Sequence, residues 1–400
     1  MDQVKRDITI LAIAVIISGA AIGAALVYHY SDDGGSDLPG FTVNGDTDLP
    51  GNFFISFVYS KNIMMLDGHG NVVWSKHEDQ KDDNVHAGFW DFKKHTVGGK
   101  TYYSYHDQDS SCDKFGLEGF APGDRVILDE NFNEVKRIRF EQSSVVEKGH
   151  PLDGHDFFLF DLDHYIMSGY IRDTVTNVPG YAQSTVIYSY LQEVDHGTVV
   201  WEWKSIDYPE LYGMVCTEAT PNANDFGNVT TAAPDYVHFN AMRVNDDGNL
   251  VCSFRHLDTI LFLDRSKSTD QIIWRLSGPH DEFHLADDQK TSGQHYVTVS
   301  GNQIMVFDNH NIDKHTHIHT FDLDTGGMTA ASTLYTVDGK FSSACGSVTR
   351  VSGDLFCIGW GRSENDSVCM SVYDFAQNRE LLSVTLEDRN NFTYRCVYYE

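Results

Sequence analysis

Four histidines begin apolar, strand-like runs at similar intervals along the chain: His86, His155, His238 and His295. A residue that recurs at the same place in successive repeats meets its counterparts when the repeats surround one axis. We therefore expect these four side chains to converge. Imidazole serves at neutral pH as a metal ligand, a nucleophile or a proton acceptor.

The stretch 235–265 reads as three consecutive strands, at residues 238–244, 250–255 and 259–264, separated by polar turns. Side chains two residues apart on a strand share a face, so His238 and Asn240 are expected to point the same way. Antiparallel pairing across the turn folds the second strand back beside the first, which returns Arg255 to the vicinity of His238.

Three chemistries fit such a site: metal binding, group transfer through a nucleophilic imidazole, and binding of an anion without catalysis. Asn240 and Arg255 discriminate among them, because neither is a favoured metal ligand. An arginine fork suits a tetrahedral oxyanion such as sulfate or phosphate. The residues therefore favour transfer of a charged group, and we expect neither a metal nor another cofactor.

These motifs carry a family resemblance. The segments DYVHFNAM, DDGNLVCSFRHLDTILFLDR, IIWRLSG and GQHYVTVSGNQIMVFDN, in this order, resemble the arylsulfotransferase family, which uses no nucleotide sulfate donor. The resemblance covers roughly residues 74–309 and is strongest over 235–309. It implies a six-bladed β-propeller that moves a sulfuryl group from an aryl sulfate donor to a phenolic acceptor through a sulfohistidine.

The resemblance also implies roles for individual residues. His295 matches the nucleophile, and His238, Asn240 and Arg255 match the residues that hold and neutralise the sulfuryl oxygens, with His238 also a candidate base for the phenol. His155 matches a further histidine of the channel. His86 takes no role from the resemblance, and we add it as a substrate-binding candidate because it falls in the repeat register.

An aryl substrate also needs an apolar wall. The aromatic residues near the starts of the inner strands are the candidates for it: Phe89, Trp90, Tyr170, Tyr236 and Tyr296.

A second pattern recurs independently of the histidines. An apolar run, a polar turn and another apolar run form a unit that appears six times, with copies ending at Trp74, Ile138, Trp201, Trp274, Tyr335 and Val384. Repeats of this length, each a meander of about four strands, indicate a propeller. We predict an all-β, six-bladed β-propeller over residues 52–400, closed by pairing of the last strand, from Phe392, with the strands from Phe53.

The first 51 residues read differently. Residues 8–28 are an uncharged run long enough to span a bilayer, preceded by a short basic tail over 1–7 and followed by an acidic, Gly-rich linker over 29–51. This order predicts a single N-terminal transmembrane helix, a signal anchor with the tail cytoplasmic, although a cleaved signal peptide is the alternative. The expected protein is a single-pass type II membrane protein with a lumenal or extracellular body.

Three sequons lie beyond the span, at Asn228, Asn365 and Asn391, on the side where glycosylation occurs. The formal net charge of the chain is −29. Such a surface repels a phosphate backbone, so we expect no nucleic-acid partner.

Two other functions stay open from the residues alone. The same pocket could catalyse a non-sulfuryl reaction on a small molecule, such as cyclisation, isomerisation or hydrolysis. The chain could instead be a non-catalytic, membrane-anchored binding propeller.

Overall fold

The computed structural model describes residues 27–30, 38–80, 87–115, 119–216, 222–227 and 233–400. Most of the predicted span 8–28, together with His86 and Asn228, lies outside these ranges. Within them, no helix is both long and apolar enough to cross a membrane.

The amino-terminal part of the described chain is extended. Strand β1 (Val27–Tyr30) pairs antiparallel with β2 (Phe41–Gly45). The last two residues of the predicted span, Val27 and Tyr28, are therefore in a β-ladder, which corrects the carboxyl end of that helix prediction. The predicted linker 29–51 likewise contains β2, because Phe41 and Val43 alternate into the core and are fully buried.

The remaining strands fall into six consecutive antiparallel units. Unit 1 contains β3 (Asn52–Phe57), β4 (Asn62–Leu66) and β5 (Val72–His77). Unit 2 contains β6 (Phe89–Val97), β7 (Lys100–Gln108), β8 (Pro122–Leu128) and β9 (Glu134–Ile138), with the two-residue β10 (Leu152–Asp153) added beside β8. Unit 3 contains β11 (Phe157–Asp161), β12 (His164–Val175), β13 (Ser184–Asp195) and β14 (Thr198–Lys204).

The second half repeats the pattern. Unit 4 contains β15 (Phe239–Val244), β16 (Leu250–Phe254), β17 (Thr259–Leu263) and β18 (Ile272–Leu276). Unit 5 contains β19 (His295–Ser300), β20 (Gln303–Asp308), β21 (His317–Asp324) and β22 (Thr329–Thr336). Unit 6 contains β23 (Ser347–Ser352), β24 (Leu355–Gly359), β25 (Val368–Asp374) and β26 (Arg379–Leu386), extended at its outer edge by β2 and β1.

The last strand, β27 (Thr393–Tyr399), completes unit 1 by pairing with β3, from Thr393↔Phe57 to Tyr399↔Asn52. The innermost strands then contact one another in the order β27, β6, β11, β15, β19, β23 and back to β27. The described residues thus form a ring of six antiparallel units, each with at least four strands, which is a propeller-like all-β fold. The six predicted hairpins and the predicted closure by the last strand are confirmed.

Short 3₁₀ helices occur only in the connections of the described chain: Ser205–Asp207, Pro209–Met214, Arg255–Leu257 and Asp287–Gln289.

The tryptophans that end three of the outer hairpins pack within or between units. Trp74 stacks on Phe132 of unit 2, with ring centroids 4.3 Å apart. The Trp201 indole N–H donates to the Lys267 carbonyl of unit 4 at 3.1 Å. Trp274 stacks on Phe262 of its own unit at 4.3 Å.

Two sequon asparagines are described. Asn365 is exposed and its amide donates to the Gly339 carbonyl oxygen at 2.6 Å. Asn391 is half-buried and its amide donates to Ser60 Oγ at 3.2 Å.

Candidate functional site

The predicted three-strand stretch forms the inner part of unit 4. Its strands, β15 to β17, match the predicted bounds to within one residue at each end. The chain leaves β16 in a 3₁₀ turn that starts at Arg255, whose backbone N–H donates to the His238 carbonyl at 2.9 Å. The predicted return of Arg255 to His238 is confirmed.

Bulges at the starts of inner strands set the direction of several side chains. Asn240 is the extra residue of a bulge in β15, Tyr296 of one in β19, and Tyr394 of one in β27. A bulge bends its strand and re-aims the inserted side chain. The simple alternation expected for His238 and Asn240 is therefore broken at Asn240, and His238 itself has a left-handed φ of 48°.

His295 begins β19 and is held at both ring nitrogens. Its Nδ1–H donates to Asn309 Oδ1 at 2.6 Å, and its Nε2 accepts the backbone N–H of Cys345 at 3.3 Å. The Asn309 amide is oriented by donating from Nδ2 to the carbonyl oxygens of Ser342 and Cys345, at 2.8 and 3.1 Å. Because these carbonyls accept only, Asn309 must present its oxygen to the ring, and His295 Nε2 is the unprotonated nitrogen.

The surroundings keep this ring neutral. Burial, followed by the nearby Arg255 guanidinium, holds the pKa of His295 well below 6.5, against a smaller upward effect of Asn309. A neutral imidazole is the reactive form of a histidine nucleophile, and its Nε2 lone pair can attack once the hydrogen bond from the Cys345 N–H is released.

His155 and His238 each pair with a carboxylate nearby in sequence. His155 Nδ1 is hydrogen-bonded to Asp153, and His238 Nδ1 donates to Asp235 Oδ2 at 2.5 Å. The two rings are perpendicular, with centroids 5.0 Å apart. His155 and His238 therefore meet at the starts of β11 and β15, as the repeat register predicted. His295, at the start of β19, lies close enough to both rings for their charge to lower its pKa.

The pKa values of these groups follow from burial and from each other. Burial, then His155 and Arg255, holds the pKa of His238 well below 6.5. Burial also raises the pKa of Asp235 to about 6. For Asp153, burial alone would raise the pKa, but the His155 ring and its hydrogen bond lower it. His238 is thus a neutral base with Nε2 as its accepting atom.

Arg255 forms no ion pair among the residues that the structure describes, although the carboxylates of Asp258 and Asp235 are close enough to act on its charge. One terminal nitrogen donates to the Ser343 carbonyl at 3.4 Å, and Nε has no hydrogen-bond partner there. Leaving a buried guanidinium unpaired is costly, so a site that keeps one unpaired suits an anionic ligand.

Asn240 is fully buried and links unit 4 to unit 5. Its Nδ2 donates to the Gln294 carbonyl at 2.7 Å, directly before His295, which leaves one amide N–H for another acceptor. Gln294 is anchored in turn through Nε2 to the carbonyl oxygens of Phe254 and Thr259, at 3.1 and 3.3 Å.

Two of the predicted aromatic residues stand at the histidines. The Trp90 and Tyr170 rings each lie 5.6 Å from the His155 ring, and Tyr170 lies 5.7 Å from His238. Tyr394, which was not predicted, adds a third ring 5.8 Å from His155.

The other predicted aromatic residues lie elsewhere. Phe89 packs on Tyr105. Tyr236 is fully buried against Tyr212, with its hydroxyl on Ser205 Oγ at 2.8 Å. Tyr296 lies between the Arg243 and Arg395 guanidinium groups, 4.5 and 4.8 Å from its ring centre.

Those two arginines belong to a buried set that sequence reasoning missed, here called the central ion cluster: Lys93, Arg125, Arg243 and Arg395 with Asp91 and Asp156. Asp156 contacts Lys93 at 2.5 Å and Arg243 at 3.0 Å, and Asp91 contacts Arg125 at 2.8 Å. The cluster ties four units together through their inner strands, with more cations than carboxylates.

The sequence analysis also did not predict a group of three potential metal ligands. Asp235, His238 and His256 present ligand atoms within 4.8 Å of one another, close enough to surround a metal ion. The atoms are already satisfied: His256 Nδ1 bonds the Asp235 carbonyl oxygen and His238 Nδ1 bonds the Asp235 carboxylate, each at 2.5 Å. A relay of hydrogen bonds explains this group without an ion.

The sequence carries different amounts of information about the unpredicted hydrogen-bond partners of the histidines. Asp153 and Asp235 lie two and three residues before their histidines, so the local sequence could have suggested both pairs. Asn309 lies across a hairpin from His295, and the sequence carries only the linked motif Phe307-Asp308-Asn309.

A propeller-like ring with a buried histidine and arginine site at one end of its inner strands defines the class of this protein. The model of the family described as Arylsulfotransferase (ASST) matches residues 105–363, more than half of the chain. The chain therefore belongs to the arylsulfotransferase family, which confirms the resemblance drawn from its motifs. No curated protein matches the chain.

Three solved structures illustrate what the chain is similar to. A protein of unknown function from Bacteroides caccae is 8% identical, with 88% of this chain and 100% of that chain covered and a TM-score of 0.49. A streptogramin B lyase is 7% identical, with 87% and 89% covered and a TM-score of 0.39. The periplasmic gluconolactonase of Pseudomonas aeruginosa is 11% identical, with 88% and 99% covered and a TM-score of 0.37. Similarities at this level assign no activity.

Proposed function

We propose that this protein transfers a sulfuryl group from an aryl sulfate to a phenolic acceptor through a covalent intermediate on His295 Nε2. One observation carries the proposal. The Nε2 of His295 is the unprotonated nitrogen of a buried, neutral ring, and the Arg255 guanidinium nearby forms no ion pair with a described residue. Membership of the arylsulfotransferase family supports the same chemistry.

In the first half of the reaction, the Nε2 lone pair attacks the sulfur of the donor. The N–S bond forms as the bond from sulfur to the aryl oxygen breaks, and the phenolate leaves with the electron pair. Arg255 offsets the charge on the sulfuryl oxygens, and the second amide N–H of Asn240 is available as a further donor.

In the second half, a phenol replaces the departed phenolate. His238 Nε2 takes the phenol proton while its Nδ1–H remains on Asp235. The phenol oxygen then attacks sulfur, the N–S bond breaks, and its electron pair returns to His295. The proton on His238 passes to solvent, and the site is restored.

The same proposal gives roles to the strands and aromatic rings around the site. The six units are the blades of a six-bladed β-propeller, and Trp90 and Tyr170 form the apolar wall beside the aryl ring. His155, His238 and His295 are only 3%, 7% and 5% exposed. Exclusion of water strengthens electrostatic stabilisation and limits hydrolysis of the intermediate. Because the three rings are buried, a substrate must first displace neighbouring side chains to reach them.

The proposal is tested by steady-state turnover of a chromogenic aryl sulfate with a phenol. We expect phenol release and a sulfated acceptor from the parent protein, and a loss on the order of 10³-fold or more in His295→Ala. His280→Ala, a change at an exposed histidine, serves as the control and should retain activity. Equal turnover by His295→Ala would exclude His295 as the nucleophile, and a folded parent inactive on a broad donor panel would favour a non-sulfuryl reaction in the same pocket.

A further inference from the structure

A second histidine cluster lies outside the site described above. The connection from β20 to β21 carries His310, Asp313 and His315, and β21 opens with His317. We call these four residues the loop histidine cluster. The proposed sulfuryl transfer assigns them no role.

Their spacing suits a single ion. His310, Asp313 and His317 present ligand atoms that all lie within 4.8 Å of one another. His310 Nε2 and Asp313 Oδ2 are 3.7 Å apart. Two ligands about 2.0–2.1 Å from a tetrahedral zinc ion are separated by about 3.4 Å, so this pair would need to approach by only about 0.3 Å to bind one ion.

Neighbouring hydrogen bonds prepare these atoms for coordination. His310 Nδ1 donates to Asp308 Oδ2 at 3.0 Å, which leaves the Nε2 lone pair facing Asp313. A carboxylate on the far nitrogen of a ligating histidine is the usual support of a metal site. Asp313 Oδ1 accepts the backbone N–H of His315 at 3.0 Å, and Oδ2 stays available.

Two imidazole nitrogens in the cluster lack partners. His317 is 9% exposed, and its Nδ1 has no hydrogen-bond partner among the described residues. The Nε2 of His315 is likewise unpartnered there, and its ring lies 5.1 Å from the His317 ring. Buried polar atoms usually find partners, so the unpartnered Nδ1 of the buried His317 indicates an absent one.

We propose that the loop histidine cluster binds a divalent transition-metal ion such as Zn²⁺, with His310, Asp313 and His317 as ligands and the His315 ring beside them. Imidazole and carboxylate donors in this number suit zinc and its neighbours rather than calcium or magnesium. The site lies next to Asn309, the residue that holds His295 Nδ1, so a bound ion would brace the loop that orients the nucleophile.

The test measures binding directly and needs no turnover. The full chain is stripped with a chelator, dialysed, and titrated with Zn²⁺ against a chromophoric competitor, and with Co²⁺ while its visible absorption is recorded. We expect one tightly bound Zn²⁺ per chain and the absorption of tetrahedral Co²⁺. Asp313→Asn and His310→Gln should each weaken Zn²⁺ binding by about 10-fold or more.

Asp313 is exposed, so Asp313→Asn keeps the fold testable if a change at buried His317 does not. His280→Gln, outside the cluster, is the matched control and should bind as the parent does. No tight Zn²⁺ in the parent, or binding that Asp313→Asn and His310→Gln leave unchanged, would overturn the proposal. Either result leaves the sulfuryl-transfer proposal untouched.

Discussion

At His295, two hydrogen bonds select the ring nitrogen that can react. Asn309 Oδ1 accepts a hydrogen bond from Nδ1–H, and the Cys345 backbone N–H donates a hydrogen bond to Nε2. In the proposed mechanism the nucleophile therefore depends on Asn309, which acts as a positioning residue.

Replacing Asn309 with alanine tests this dependence. The ring would lose the acceptor that fixes its tautomer and its angle, and misplacement of a reacting group by about 1 Å costs on the order of 10²-fold in rate. We expect kcat to fall by about that factor, with KM for the aryl sulfate changed far less. Steady-state kinetics of the variant provide the measurement.

Asn302→Ala, at an exposed turn, is the control and should leave both constants unchanged. Asn309→Ala also leaves two carbonyls without a donor, so its thermal unfolding must be followed beside its kinetics. A folded Asn309→Ala protein with the parent's kcat would show that Asn309 does not orient the nucleophile.

The pH dependence of the first half-reaction follows from the direction of the His295 shift. Burial and Arg255 place the pKa of His295 well below 6.5, so the ring stays neutral where an ordinary imidazole would take a proton. Protonation removes the attacking lone pair, so activity falls only when the pH passes below this lowered pKa. We expect the single-turnover rate of phenol release to show no loss as the pH falls through about 6.5. An acid limb centred near that value would contradict the lowered pKa.

At the residue scale, the sequence predicted the site residues that recur at the same position in successive repeats. The shared register of His155, His238 and His295 predicted that these side chains converge. The linked motifs predicted that Arg255 belongs to the same site. The role of Asn309 and the position of Tyr236 depend on packing across hairpins, which a linear pattern does not record.

Among the elements, the inner strands hold the candidate site at one end and most of the central ion cluster along their length. The sequence predicted the outer hairpins because each combines an apolar run with a strong turn. It did not predict the bulge at Asn240, since a bulge inserts one residue without a characteristic composition there. It also read residues 29–51 as a linker, because the short strand β2 becomes a strand only by pairing with β26.

The central ion cluster should dominate stability at this scale. Asp156 is fully buried, and although burial alone would raise its pKa, Lys93, Arg395 and Arg243 hold that pKa well below the usual range. Asp156→Asn would leave buried cations uncompensated, which costs about 3–5 kcal/mol in comparable cases. We expect the urea midpoint to fall accordingly.

The matched control is Asp163→Asn. Asp163 pairs with Lys136 at the surface, with its side chain 62% exposed, and such pairs contribute little. Its urea midpoint should stay near that of the parent. If Asp156→Asn unfolded at the parent's midpoint as well, the central ion cluster would not be what holds the inner strands together.

For the whole molecule, the ring closes through β27, and all but the last two residues of the proposed anchor at residues 8–28 lie outside the described residues. We propose that this anchor directs the body into the lumen of the secretory pathway. Translation of the full chain with microsomes should give a membrane-bound, protease-protected product.

Digestion with an N-glycosidase should increase the mobility of this product. The combined variant Asn228→Gln, Asn365→Gln, Asn391→Gln should already run at that position. A product that remains sensitive to protease and unglycosylated would contradict the proposed topology.

The central claim is a sulfuryl group on His295, and the most direct measurement is the mass of the protein incubated with an aryl sulfate and no acceptor. At neutral or alkaline pH we predict the gain of one sulfuryl group, located by peptide mapping at His295 and lost when a phenol is added. A parent protein that consumes the donor without carrying this group, or carries it on another residue, would contradict a sulfohistidine at His295.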